Sequence, residues 1–128
     1  MKIIGNGVDI VDNLRIKKAI KNKNFINRIY SHSEIRVSKK NQNKVNFFAK
    51  RFAAKEAFVK SLGTGFRNDL NLKDISVIND KLGKPSFVIN QKVKEIIKKQ
   101  LKLTSFNFFL SISDEKKYSI AFVILQKK

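Results

Sequence analysis

Apolar and polar positions along this chain change period several times. Residues 2–11, rich in Ile and Val with glycines at 5 and 7, predict a strand. Asp12 or Asn13 can cap a short helix from Leu14 to about Lys21. Phe25, Ile26 and Ile29 share one face of a second helical turn over 24–30, and Ser33-Glu34-Ile35 can begin another. The polar, basic segment from Ser38 to Lys44 predicts a loop. A long helix follows from about Val45 to Leu62, with apolar residues at 45, 48, 52 and 59 forming one stripe. Gly63 ends it at the C′ position and Gly65 continues the turn. Period two returns at Ile75, Val77 and Ile78. A turn over Asn79 to Pro85 leads to a short strand at 86–89. Asn90 caps an amphipathic helix carrying Val93, Ile96, Ile97 and Leu101. Phe106 to Ser113 and Tyr118 to Leu125 predict two strands joined by the charged turn Asp114-Glu115-Lys116-Lys117. No repeat or linker interrupts 1–128. The expectation is one compact α+β domain with an antiparallel sheet, one long helix and several short ones.

Two carboxylates break this pattern. Glu56 fills the remaining position of the long helix's apolar stripe, and Lys60 lies one turn later. Asp9 interrupts the apolar first strand. Buried faces exclude such groups unless they are paired or bind a metal. Two misplaced carboxylates on two elements suggest one shared site. Taken singly, Asp9 reads better as a strand-end residue capping the next turn, and Glu56 with Lys60 reads better as an ordinary helical ion pair.

Composition bounds the partners. The 128 residues and 42% hydrophobic content suit one core. The absence of cysteine excludes disulfides and thiolate metal sites. No signal-peptide pattern and no membrane-length apolar run occur, so a soluble, cytoplasmic protein is expected. The net charge of +18 draws polyanions and acidic partners without naming one. The abundance of Lys, Asn, Ile and Phe also fits AT-rich coding, which would make part of that charge compositional. The single histidine, His32, lies in a polar stretch and reads as a surface residue.

Four blocks in order carry a resemblance. They are Gly5-x-Gly7-Val8-Asp9-Ile10-Val11, Arg51-Phe52-Ala53-Ala54-Lys55-Glu56-Ala57-Phe58-x-Lys60-x-Leu62-Gly63-Thr64-Gly65, Gly83-Lys84-Pro85 and Ser111-Ile112-Ser113. Together they resemble the holo-acyl-carrier-protein synthases, the short single-domain group of 4′-phosphopantetheinyl transferases. The resemblance implies transfer of the 4′-phosphopantetheine arm of coenzyme A to a serine of apo-acyl carrier protein, in fatty acid biosynthesis. It also implies a homotrimer with active sites at subunit interfaces and a divalent metal, normally Mg2+, with Mn2+ the alternative. Magnesium takes hard oxygen ligands and binds through one or two carboxylates plus substrate phosphates.

Position by position, the resemblance makes Asp9 and Glu56 the metal-binding carboxylates. Glu56 is also the candidate base, directly or through a metal-bound water. Lys60 falls near the pyrophosphate, for leaving-group stabilisation. Arg51, Gly63, Gly65, Lys84, Pro85 and Ser113 fall at the coenzyme A site, with Lys84 and Pro85 contributed by the neighbouring subunit. Arg15 matches a carrier-protein docking position, and Lys17, Lys18 and Lys21 extend a basic patch for an acidic carrier. Two positions depart from the family. Asp114 replaces a usual histidine near the nucleotide phosphates, where Lys116 or Lys117 could supply the lost charge, and Lys50 replaces a common glycine. Two other classes remain open at this point: a basic nucleic-acid-binding module, supported by charge but by no recognised motif, and a degenerate member that binds coenzyme A without transferring its arm.

Overall fold

The computed structural model describes residues 1–63, 66 and 69–128. Strand β1 (Lys2–Asp12) leads into three short helices, α1 (Asn13–Ala19), α2 (Lys23–Ile29) and α3 (His32–Ser38). The long helix α4 (Lys44–Ser61) follows, then a single 3-10 turn at Leu72–Asp74 and the hairpin β2 (Ile75–Asn79) and β3 (Pro85–Ile89). Helix α5 (Gln91–Leu101), β4 (Phe106–Asp114) and β5 (Tyr118–Lys127) complete the chain. The expected antiparallel pairing is present but divides into two sheets, a three-stranded one in the order β1-β5-β4 and the separate β2-β3 hairpin.

Local chemistry explains the element ends. Asp12, Asn22, Ser31, Asn43 and Asn90 each accept a backbone N–H from the first turn of the helix they precede, the usual remedy for orphan donors there. At α3 the cap is reciprocal: Ser31 accepts from the Glu34 N–H while the Glu34 carboxylate accepts from the Ser31 N–H. That capping box extends the expected turn at 33–35 into a seven-residue helix. Beyond α4, Gly63 adopts φ +92°. A Cβ there would meet none of the described residues, and the positive φ itself calls for glycine.

Helix α4 departs from the single-stripe expectation. Every residue from Ala53 to Val59 is buried, whereas Val45 and Phe52 of the expected stripe are only half-buried. The three-stranded sheet covers one side of α4, and α1, α3 and β2 cover others. Phe58 is fully buried and stacks on Phe108 of β4 with centroids 4.1 Å apart, a contribution of roughly 1.5–3 kcal/mol from burial alone.

Period two sorts β1 cleanly. Gly5, Gly7, Asp9 and Val11 turn toward α4, and Val8 and Ile10 turn away. A Cβ on Gly5 would lie 2.2 Å from the Ser61 carbonyl oxygen, and one on Gly7 would lie 2.1 Å from that of Ala57. The two glycines therefore let β1 lie directly on the backbone of α4. The other face of the sheet carries Val8, Ile10, Phe109, Ile120 and Phe122, all exposed.

Candidate active site

The seam between β1 and α4 brings the two sequence oddities together. Asp9 follows Gly5 and Gly7 on the inward face of β1, and Glu56 and Lys60 lie one turn apart on α4. The Lys60 ammonium donates to Asp9 Oδ1 at 3.1 Å and to the Val8 carbonyl oxygen at 3.2 Å. The partner of Lys60 is thus Asp9, across the seam, where helical spacing alone pointed to Glu56. The Lys60 side chain is 55% exposed and that of Asp9 15%. Such a solvated pair stabilises the fold by at most about 1 kcal/mol. Its consequence is chemical, because it sets a cation against an anion at the mouth of the seam. Glu56 is buried, 6% exposed.

The donor set suits a hard divalent cation. Asp9 and Glu56 offer only carboxylate oxygens, and a cationic group, the Lys60 ammonium, already sits against Asp9 Oδ1 and a carbonyl oxygen. Among the described residues no group of three or more His, Cys, Asp and Glu side chains could hold a metal. Two carboxylates with the remaining positions open to water and phosphate is the magnesium habit.

A second cleft, about 230 Å3, opens beside α4. Lys50, Arg51, Asn79, Gly83, Pro85, Ile112 and Asp114 line it. Arg51 is 7% exposed and lies 3.6 Å over the Phe47 ring. Its Nη2 donates to Asn79 Oδ1 at 2.7 Å and its Nη1 to the Phe47 carbonyl oxygen at 3.4 Å, while the buried Nε has no partner. Burial pulls the guanidinium pKa down, and Glu34 and Tyr30 oppose that shift. A guanidinium that lines a cleft is a ready donor to an anion.

The remaining expected residues divide. Arg51 and Pro85 share this cleft, and Lys84 is exposed beside it on the hairpin turn, where its N–H donates to Asp80 Oδ1 at 2.8 Å. Ser113 does not join them. The pleat turns Ile112 to the cleft and exposes Ser113 on the opposite face, across from Ile120. Gly65 lies outside the described residues. Asp114 receives the Asn46 amide at 2.5 Å, which occupies part of its carboxylate. Lys116 lines the adjoining pocket with Asp114 and Asn46, but Lys117 does not. Arg15, Lys17, Lys18 and Lys21 are all exposed on or just after α1. Arg15 and Lys18 line a shallow groove together with Phe25 and Arg28 of α2.

Comparisons with known proteins match the chain along nearly its whole length. The model of the 4′-phosphopantetheinyl transferase superfamily matches residues 5–123. The chain belongs to that superfamily. A holo-[acyl-carrier-protein] synthase of Pelagibacter ubique is 69% identical over 128 residues, covering all of both chains. Among solved structures, the holo-[acyl-carrier-protein] synthase of Neisseria meningitidis superposes with a TM-score of 0.86 at 36% identity, covering 98% of this chain and 99% of the other. The Bacillus anthracis synthase, solved in complex with CoA (3′,5′-ADP), gives a TM-score of 0.82 at 34% identity over the whole of both chains.

Two features of this transferase chain escape sequence reasoning. One is the structural duty of Gly5 and Gly7, signalled only by their spacing of two on the same face as Asp9. The other is Lys55, wholly buried and paired with Glu34 of α3 at 2.6 Å. Its signal was a lysine set among Ala53, Ala54 and Ala57. Burial lowers the Lys55 pKa, and the adjacent Glu34 carboxylate pulls it back up.

Proposed function

We propose that residues 1–128 form one phosphopantetheinyl transferase domain that moves the 4′-phosphopantetheine arm of coenzyme A to a serine hydroxyl of apo-acyl carrier protein, releasing adenosine 3′,5′-bisphosphate. The observation that carries this reading is the β1–α4 seam, where two glycines bring Asp9 onto Lys60 within one turn of Glu56. Asp9 and Glu56 would hold a magnesium ion, or manganese with the same oxygen ligands, which when bound neutralises charge on the pyrophosphate. The Glu56 carboxylate takes the proton of the attacking serine. The serine oxygen forms the new bond to phosphorus as the bond to the bisphosphate oxygen breaks, and the Lys60 ammonium stabilises the charge that develops there. Positioning and electrostatics of this kind supply most of the rate in phosphoryl chemistry.

Arg51, with Lys84 and Pro85 on the hairpin, receives the nucleotide end of coenzyme A, and the backbone turn at Gly63 meets it beyond α4. Arg15 and Lys18 on their groove, with Lys17 and Lys21 around it, receive an acidic carrier protein. Rim charges of this type govern on-rate and salt dependence more than final affinity. The exposed apolar sheet face supports self-association, in keeping with a homotrimer, because patches of this kind mark interfaces. Ser113 lies on that face, so it reaches an active site only through a neighbouring subunit. Among the described residues no helix is long and apolar enough to cross a membrane, and a cytoplasmic site in fatty acid biosynthesis goes with the reaction.

Intact-mass spectrometry of apo-acyl carrier protein incubated with the chain, coenzyme A and magnesium tests the reading. The expected result is a gain of one phosphopantetheine, lost on chelation and lost in Glu56→Gln. No gain by the wild type, with coenzyme A still bound, would replace transfer with mere binding. No gain and no coenzyme A binding would favour the basic nucleic-acid binder.

A further inference from the structure

The pair Lys55–Glu34 takes no part in the chemistry proposed above, yet it is wholly buried and richly hydrogen-bonded. The Lys55 ammonium donates to Glu34 Oε1 at 2.6 Å, to the Leu72 carbonyl oxygen at 3.0 Å and to the Ile75 carbonyl oxygen at 2.5 Å. Those three acceptors use all three of its protons. Glu34 Oε1 also accepts the Ser31 N–H at 2.9 Å, and Oε2 accepts the Val77 N–H at 3.1 Å. Both side chains are about 1% exposed or less. A buried ion pair adds little net stability over apolar residues of the same shape, so its presence calls for another explanation.

The backbone groups it holds supply one. β2 has a strand neighbour on one side only, β3. In an antiparallel ladder both backbone groups of a residue point to the same side and alternate along the strand. The carbonyl of Ile75 and the N–H of Val77 point to the open side. Lys55 and Glu34 satisfy them there, as a third strand would. The next outward residue, Asn79, is held by Arg51, and its amide donates to the Gly83 carbonyl oxygen at 3.0 Å. From Lys55 through β2 to the turn, one line of hydrogen bonds fixes the hairpin along α4. That hairpin forms the Asn79, Gly83 and Pro85 wall of the cleft in which the Arg51 guanidinium is offered.

We infer that Glu34 and Lys55 are positioning residues that set the β2–β3 hairpin against α4 and so hold the width of the nucleotide-end cleft. This rests on the reading of that cleft as the donor site. The pair touches neither substrate nor the Asp9–Lys60 seam, so its loss acts on donor affinity and spares the chemical step.

The test is steady-state kinetics of the full chain with Glu34→Gln combined with Lys55→Met, which removes both charges of the pair together. Wild-type transfer is measured alongside, so failure of the donor-site reading shows separately as a wild type without activity or coenzyme A binding. The expected outcome is a folded variant whose KM for coenzyme A and Kd for adenosine 3′,5′-bisphosphate rise on the order of tenfold to a hundredfold, as for outer-sphere partners elsewhere. Its kcat and its KM for the carrier protein stay within about twofold, the signature of lost uniform binding. Unchanged donor KM and Kd in the folded variant, or a fall in kcat alone, would overturn the inference. If the double variant does not fold, Glu34→Gln alone is read by the same criteria. Hydrogen exchange on the wild type covers the case in which neither folds. The Val77 amide, on an open strand edge, is expected to exchange as slowly as the central amides of β5, and exchange at the rate of a fraying edge would overturn the pinning.

Discussion

Replacing Gly7 with Ala tests the link between packing and chemistry at one atom. The added Cβ would lie 2.1 Å from the Ala57 carbonyl oxygen, 2.7 Å from the Ser61 nitrogen and 3.1 Å from the Ala57 carbonyl carbon. All three are backbone atoms of the C-terminal part of α4, so no side-chain rotation relieves the clash. Ordinary contact begins near 3.4 Å, so β1 and α4 must separate by about 1.3 Å, the difference between 3.4 and 2.1 Å. Overpacking of this kind costs about 1–3 kcal/mol, which lowers Tm by about 3–5 °C per kcal/mol for a domain of this length. The larger effect is on the site. Asp9 lies two residues beyond Gly7 on the same face, and a 1.3 Å retreat moves its carboxylate away from Lys60 and Glu56 together. A misplacement of about 1 Å removes on the order of a hundredfold in rate. Calorimetry and the phosphopantetheine mass-gain assay, read on the same preparation, should show a folded protein with a lowered Tm and transfer reduced about a hundredfold. A Gly7→Ala protein with wild-type Tm and wild-type transfer would refute both the close-approach argument and the role given to the seam.

Three further outcomes follow from other regions. Tyr30 is 1% exposed, and burial, then the Glu34 charge, holds its phenol well above the usual 10.0. The folded chain keeps that proton where the unfolded chain loses it, so the stabilisation is complete below pH 10 and fades as the pH rises further. Tyr30→Phe should cost about 1 kcal/mol at neutral pH for the lost hydrogen bond to the Phe48 carbonyl oxygen, with the gap narrowing above pH 10 in chemical denaturation; parallel curves throughout would contradict it. Phe122→Glu places a charge in the exposed sheet face and should convert the proposed trimer to monomers in sedimentation analysis with loss of transfer, whereas an unchanged mass would remove the interface proposal. Arg15→Glu should raise KM for the carrier protein at low salt by about tenfold, with the difference shrinking as salt screens it; an effect independent of ionic strength would place Arg15 outside the docking surface.

Much of the fold is legible because local signals agree with it. The caps at Asp12 and Asn90, the glycine after α4 and the return to period two all lie close to the observed element ends. Asp9 and Glu56 stand out for a simple reason: a carboxylate in an apolar run carries a large desolvation penalty. What the sequence hides is long-range. Lys55 reads as one more charge on a highly charged helix until Glu34, 21 residues away, is seen beside it. The duty of Gly7 depends on the helix lying across it. Ser113 shows a further limit: the strands beneath it are apolar on both faces, so residue type alone does not tell which face meets the cleft, and the pleat chooses Ile112. The same two-sided apolarity conceals a division into two sheets, because nothing local distinguishes β3 from a strand that continues toward β1.

The closure of β2 by side chains has a consequence for solubility during synthesis and heating. A bare strand edge is a template on which another chain can add, and cells contain many unfolded chains able to do so. Natural proteins usually blunt such edges with prolines, bulges or surface lysines. Here the blunting agent is internal: an ammonium and a carboxylate from two helices occupy the edge groups that an incoming strand would need. That edge of β2 therefore becomes adhesive only when α3 or α4 comes away. The first partly unfolded form able to aggregate through this edge is then one that has already lost its helical cover, and a fully folded chain offers no foothold there.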